Sequence, residues 1–371
     1  MTIAARTSST SRRREIASKS HPRILFDISH PAHVHFFRHI IGTLEAAGWV
    51  TVVVAREKDV TLKLLANYGI PYTSSGKSGH KGIAGQFKEL LARDYALARI
   101  ARSFKPDVVF TRNPCGVHVA RLVGALGIFD TDDGKEAGIH YRAAAPFAHI
   151  ITTPACLPYL GTKQVKYPGY KQMAYLHPNH FQPDAQVLKL LDLKPEQPFF
   201  IARFVAMDAS HDRDHKGLSL EDKKRIIARL QQHGRVLLSV EGSVPDEWKG
   251  LQFKIPPQYM HDALAHASLY VGDSQTMAAE AAILGTPSLR CSSFAGRLPH
   301  LEELENRYGL TAAYTPDRTG ELLATLESWL TNQDLTADFA ERRQRLLAEQ
   351  CDVADWFVDF LTDRVPSRDG A

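Results

Sequence analysis

Short apolar runs of strand length alternate with stretches of helical period along most of this chain, and the series starts twice. Ile24-Leu25-Phe26-Asp27-Ile28 reads as a buried strand. Phe37, Ile40, Ile41 and Leu44 then recur at helical spacing as far as Gly48, and residues 50–55 are a second, β-branched run. Strand, helix and strand in that order make a parallel pair, because a parallel connection needs a crossover. Residues 108–111 and 149–152 continue the series. Between 167 and 198, Pro168, Pro178, Pro183, Pro195 and Pro198 break up any regular element and mark an interdomain connection. The series restarts with strands at 199–204, 236–240, 267–272 and 287–290, and with helices at 221–232 and 275–284. The expected fold is α/β: two Rossmann-like, doubly wound domains facing across a cleft, with ligands beyond the carboxyl ends of the strands.

The 371 residues, 44% hydrophobic, suffice for two domains of the usual ~150 residues. The expected boundaries are a disordered Ser- and Arg-rich extension (1–22), a first domain (23–175), a linker (176–198), a second domain (199–334) and a C-terminal helical segment (335–364). The last helix has an acidic polar face. That favours docking onto a domain, since membrane-surface helices prefer Lys and Arg. With 45 basic against 41 acidic residues, nucleic acid is excluded as the main partner. The N-terminal tail lacks the apolar core of an export signal, and no apolar run reaches the ~18 residues of a membrane span. Four scattered cysteines without a CxxC pair fit free thiols in a reducing compartment, so the expected location is cytoplasmic.

Two stretches carry chemistry. The first follows the opening strand: Ser29-His30-Pro31-Ala32-His33-Val34-His35-Phe36-Phe37. A strand-to-helix turn at 30–32 places His33 in the first helical turn, where the helix dipole disfavours imidazolium. A neutral His33 suits a general base acting on a hydroxyl. His35 and His39, one turn apart, have the spacing of metal ligands but no supporting HExxH or CxxC motif. The second stretch is Asp273-Ser274-Gln275-Thr276-Met277-Ala278-Ala279-Glu280. Ser274 reads as a helix N-cap, and the amides of residues 275–277 with the helix dipole favour a phosphate. Glu280, one turn beyond Thr276, is placed to accept hydrogen bonds from a ribose diol. Arg203, closing the first strand of the second series, is placed to counter a diphosphate. Gly76-Lys77-Ser78 is no P-loop, because six residues separate Gly69 from Gly76 where the motif needs four. The basic loop at 76–82 is instead a candidate for meeting an anionic acceptor, and with it peripheral membrane contact.

Together these stretches resemble the GT-B superfamily of nucleotide-sugar enzymes. The interval from His33 to Gly48-Trp49 resembles the peptidoglycan N-acetylglucosaminyl transferase, in which a catalytic His opens the first helix. Residues 260–276, Glu280 and Leu284-Gly285-Thr286-Pro287 resemble the uridine-diphosphate site of that transferase and of the non-hydrolysing UDP-N-acetylglucosamine 2-epimerases. Over residues 23–364 the chain is most similar to an uncharacterised prokaryotic GT-B-like family that shares the Asp-Ile-x-His-Pro-x-His-Val-His-Phe-Phe opening. The resemblance implies phosphate contacts from Ser274, Gln275 and Thr276, a ribose contact from Glu280, and residues 255–259 near the base. Ser274-Gln275-Thr276 replaces glycines common in relatives. The epimerases' His-x-Glu-Ala-Gly segment is approached only by Asp130-Thr131-Asp132-Asp133-Gly134-Lys135-Glu136-Ala137-Gly138, which offers Asp133 and Glu136 as acid or base. His211, in the polar loop at 210–215, aligns only loosely with the epimerases' histidine.

The expectation is therefore a metal-independent glycosyltransferase without a cofactor, taking a nucleotide sugar (UDP-linked) as donor and a carbohydrate or lipid-linked acceptor. No Asp-x-Asp motif is expected after a strand, since Asp212-x-Asp214 sits in a polar loop, which fits metal independence. A UDP-sugar 2-epimerase-like isomerase using Asp133 and Glu136, and a non-catalytic nucleotide-sugar binding protein, are the alternatives. The oligomeric state is left open.

Overall fold

The computed structural model describes residues 21–57, 59–77, 83–204, 218–240 and 244–365. The expected tail lies outside them except for its last two residues, as do residues 78–82 of the basic loop and the 210–215 loop with His211.

In chain order the first domain comprises β1 (Arg23–Ile28), α1 (Pro31–Ala46), β2 (Val50–Glu57), α2 (Asp59–Asn67), β3 (Thr73–Lys77), α3 (Ile83–Phe104), β4 (Val108–Thr111), α4 (Pro114–Val123), β5 (Leu126–Asp130), α5 (Ile139–Ala144), β6 (Ile150–Pro154) and β7 (Gln164–Tyr167). Two short helices, α6 (Met173–Leu176) and α7 (Gln186–Leu190), lie in the proline-broken connection. The second domain follows with β8 (Phe199–Phe204), α8 (Leu220–His233), β9 (Arg235–Val240), α9 (Met260–His266), β10 (Leu269–Gly272), α10 (Gln275–Leu284), β11 (Ser288–Cys291), α11 (Pro299–Asn306), β12 (Thr311–Tyr314), α12 (Thr319–Thr331), α13 (Leu335–Glu349) and α14 (Val353–Arg364).

Every described strand pairing is parallel. The first sheet runs β3-β2-β1-β4-β5-β6-β7 and the second β12-β11-β10-β8-β9. Strand order reverses between β1 and β4 and again between β8 and β10. Such reversals open a crevice at the carboxyl strand ends, and there the sequence places His33 and residues 273–276. At the second reversal the strands end pressed together: a Cβ on Gly272 would lie 2.1 Å from the Arg203 carbonyl oxygen.

Local chemistry explains the boundaries of α1. His30 caps it, its Nδ1 accepting the Ala32 amide at 3.2 Å, and Pro31 fills the first helical position. The helix stops before Gly48, whose φ of +87° suits a residue without a Cβ. By contrast α10 is buried on all sides from Ala278 to Leu284. Its sequence, apolar all round, is that of a helix held between layers.

The last helix does dock, but onto the first domain. Phe357 of α14 packs its ring 5.4 Å from Phe36, 5.0 Å from Phe110 and 5.2 Å from Tyr167. One apolar cluster consequently runs from Phe26 and Phe37 through Tyr170 and Tyr175 to Ala278, Ile283 and Phe339.

Beneath the first crevice lies a buried charge. Asp27, fully buried in β1, accepts from Arg93 Nη2 at 2.5 Å, Thr111 Oγ1 at 2.9 Å and Asn113 Nδ2 at 3.3 Å. Removing one partner of such a pair strands the other's charge away from water. Asp27→Ala is expected to lower the unfolding free energy by about 3–5 kcal/mol. Combining it with Arg93→Met should cost less than the sum of the single changes. Denaturant titration measures both, and a loss below about 1 kcal/mol for Asp27→Ala would show that the pair does not hold the crevice.

Candidate functional site

At the end of β1, Ser29 donates its hydroxyl to Asn113 Oδ1 at 2.6 Å, which ties it to the Asp27 network. Its backbone amide points at His33 Nδ1, 3.4 Å away. His33 stands in the first turn of α1 as expected, half-buried, and burial lowers its pKa well below the usual value. Nearby Arg112, His30, Lys171 and Arg93 push in the same direction. The imidazole is thus neutral. With Nδ1 accepting the Ser29 amide, its proton sits on Nε2, so the resting ring offers a donor where the sequence suggested a base.

A cluster of buried titratable groups lies two strands across the sheet, beyond β4. Asp130-Thr131-Asp132 closes β5, a strand the sequence reading missed, so an Asp-x-Asp pair does follow a strand. Both carboxylates are engaged by the Arg112 guanidinium, and Lys171 Nζ lies 2.6 Å from Asp132 Oδ2. Burial alone would raise Asp132; Lys171 and Arg112, aided by His300, outweigh it and hold this carboxyl well below the usual range. The adjacent Asp133 goes the other way. The Asp132 charge and burial raise it to about 6, against the pull of Lys171 and Arg112. His300 from the second domain is buried, which lowers it to about 4 despite the nearby Asp132.

These groups line a cavity of about 240 Å³ between the domains. Asp132, Asp133, Glu136 and Lys171 come from one side; Gln275, Thr276, Phe294 and His300 come from the other. The volume is below the ~300–1,000 Å³ of pockets that enclose whole drug-sized ligands. Glu136, one of the two expected acids, donates no free carboxylate to this space: it pairs with Arg297 across the cleft at 2.7 Å. Asp133 lines the cavity beside it.

The second wall is built as the sequence suggested in its first turn and differently beyond it. Arg203 ends β8 half-buried, with Nη1 donating to Ser239 Oγ at 2.6 Å. Ser274 caps α10 by accepting the Met277 amide at 3.5 Å. That engages one of the three amides expected to face a phosphate and leaves those of Gln275 and Thr276 to the role. The Gln275 side chain is held by Arg290, whose Nη1 donates to Oε1 at 3.0 Å. Thr276 faces the cavity, but Glu280 does not share its surroundings. At 5% exposure, Glu280 accepts from Tyr175 OH at 2.8 Å and lies 3.2 Å from His261 Nε2. The helix sinks between the domains after one turn, so this carboxylate is built into their junction and is not presented to a ribose. His35 joins the same junction, its ring 4.5 Å from that of His261, while His39 stacks on His180 at 4.5 Å. The two imidazoles thus meet different neighbours despite their one-turn spacing.

Sequence reasoning missed Arg112, Lys171 and His300. Arg112 had a signal, since it closes an apolar strand as Arg203 does. Lys171 and His300 stand in no motif, and only the approach of the domains brings them to Asp132.

The chain belongs to the family described as Protein of unknown function (DUF354), whose model matches residues 23–298. An uncharacterized protein of Methanocaldococcus jannaschii is 22% identical over 286 residues, covering 72% of this chain and 81% of the relative. Among solved structures, the spinosyn forosaminyltransferase SpnP aligns with a TM-score of 0.61 at 17% identity, over 93% of this chain and 99% of that one. The UDP-GlcNAc 2-epimerase of Methanocaldococcus jannaschii aligns with a TM-score of 0.65 at 12% identity, over 92% and 99%. These likenesses establish a GT-B architecture.

Because His300 is held near 4 in the fold and would titrate near 6.5 when unfolded, the unfolded chain takes up its proton first as the pH falls. The stability this group carries is fully present above about pH 6.5 and is lost toward pH 4. His300→Gln should therefore lose less melting temperature than the unaltered protein over that window. Equal losses would mean that His300 is not buried neutral.

Proposed function

We propose that this protein transfers a glycosyl group from a nucleotide sugar, UDP-linked, to an acceptor hydroxyl on a carbohydrate or lipid-linked substrate, as in cell-surface polysaccharide or glycolipid synthesis. The observation that carries this reading is the interdomain cavity, where Asp133, raised to about 6, faces the N-terminal turn of α10. A carboxylate with that pKa is mostly ionised at neutral pH yet basic enough to take a proton in a transition state.

Asp133 accepts the proton of the acceptor hydroxyl as its oxygen attacks the anomeric carbon. The bond from that carbon to the phosphate oxygen breaks, and the nucleoside diphosphate leaves. The amides of Gln275 and Thr276, with Lys171 and Arg203, stabilise the charge that develops on the departing group. His33 donates a hydrogen bond from Nε2 to a substrate oxygen. Closure of the two domains over the donor keeps water from competing with the acceptor.

One observation favours a second reading. Asp133 and Glu136 both border the cavity, as the acid and base of a UDP-sugar 2-epimerase-like isomerase would. Incubation with UDP-N-acetylglucosamine alone separates the two: an epimer formed without acceptor would sink the transferase reading. Under transfer, kcat/KM rises with pH through about 6, as Asp133 ionises. Asp133→Asn should lower kcat by roughly 10²–10⁴-fold and abolish that limb, with nucleotide binding unchanged. His33→Gln should lower kcat but keep the limb. Loss of the limb in His33→Gln and its survival in Asp133→Asn would return the base role to His33.

A further inference from the structure

Outside the cleft, two side-chain pairs spaced one helical turn apart converge from segments far apart in sequence. His177-Pro178-Asn179-His180 follows α6 in the interdomain connection, and Asp352-Val353-Ala354-Asp355 opens α14. His180 Nε2 lies 2.9 Å from Asp352 Oδ2 and 3.9 Å from Asp355 Oδ1, and His177 Nδ1 lies 3.3 Å from Asp352 Oδ2. Ligand atoms around a tetrahedral zinc ion, at bond lengths near 2.0–2.1 Å, stand about 3.3 Å apart. The three separations bracket that value.

We propose that His177, His180, Asp352 and Asp355 bind a divalent transition-metal ion, zinc before others, which clips the interdomain connection to the start of the C-terminal helix. Two imidazoles and two carboxylates are a donor set such ions accept.

A second observation points to a cation. The Asn179 amide already approaches His177 Nδ1, at 3.3 Å, which makes that nitrogen an acceptor. It therefore faces the Asp352 carboxylate oxygen lone pair to lone pair, and an ion placed between them turns this contact into two bonds.

The outer partners are in place too. Asn179 Nδ2 donates to Asp352 Oδ2 at 3.0 Å, Asp352 Oδ1 accepts the Ala354 amide at 3.0 Å, and the His39 ring backs His180. Such contacts orient metal ligands and tune their basicity. Asp355, 58% exposed, leaves the ion a way in from solvent. None of the four residues lines the cleft cavity. The clip would hold α14 on the first domain without taking part in the chemistry.

The test uses the full chain without an affinity tag, stripped with EDTA and dialysed. Titration with ZnCl2 by calorimetry should give one saturable site, with a rise in melting temperature that MgCl2 does not reproduce. CoCl2 should give the visible bands of a four-coordinate ion. Asp355→Asn, which removes a ligand that makes no helix-capping bond, should weaken zinc binding at least about ten-fold and leave the metal-free melting temperature unchanged. His180→Gln provides a second loss of binding. The proposal is overturned by absence of saturable binding at millimolar zinc. It is equally overturned if both variants bind as the unaltered chain does, which would place the ion elsewhere, as at Asp132, Asp133 and His300. Metal-free stability that falls as the pH rises through the histidine range, and no longer does so in His177→Gln, would assign the contact to a protonated His177 and also sink it.

Discussion

Arg112 holds two carboxylates of the neighbouring strand at once, and the character of the cleft depends on that grip. With Lys171, the guanidinium outweighs the burial that would otherwise drive Asp132 toward the neutral acid, and so maintains the charge that raises Asp133. The same cation adds to the burial that lowers His33, so one buried side chain acts on groups that follow β5 and on the first turn of α1. Its own position follows from β4, whose four buried residues end where Arg112 must turn toward β5. Charges withdrawn from water need partners with good geometry, and here the partners adjoin Asp133 in sequence.

The domain junction follows a related rule. A helix apolar on every face was destined for burial, and α10 is buried against the connection and against α13. Its one carboxylate beyond the first turn, Glu280, had to find donors inside the protein, which it does in Tyr175 and His261. A residue suited by type to a sugar diol thus became a tie between the two halves. Helix α10 divides its work along its length: the first turn faces the cavity, and the later turns join the domains. The C-terminal helix reinforces this by returning to the first domain, where Phe357 completes the aromatic cluster around Phe36 and Phe110.

Much of the architecture was legible in the chain because parallel strands buried on both faces read as continuous apolar runs. The runs at 24–28, 108–111 and 199–204 fall on strands with nearly those bounds. β5 escaped because Leu126-Gly127-Ile128-Phe129 is short and contains a glycine, and with it the Asp-x-Asp pair at its end. The caps at His30 and Ser274 were legible for a local reason, since a capping bond spans only a few residues.

The sequence by itself determined the two doubly wound domains, the turn that presents His33, and the capped helix start at Ser274, because each is settled by hydrophobic period or by bonds between near neighbours. Only the tertiary structure decided the state of those groups. Which nitrogen of His33 carries the proton follows from the Ser29 amide, itself fixed through Asn113 to the buried Asp27. That Glu136 is tied across the cleft follows from Arg297, 161 residues away along the chain. Protonation and accessibility are set by burial and by charges brought close in space, and no pattern of residue types along a chain encodes those distances.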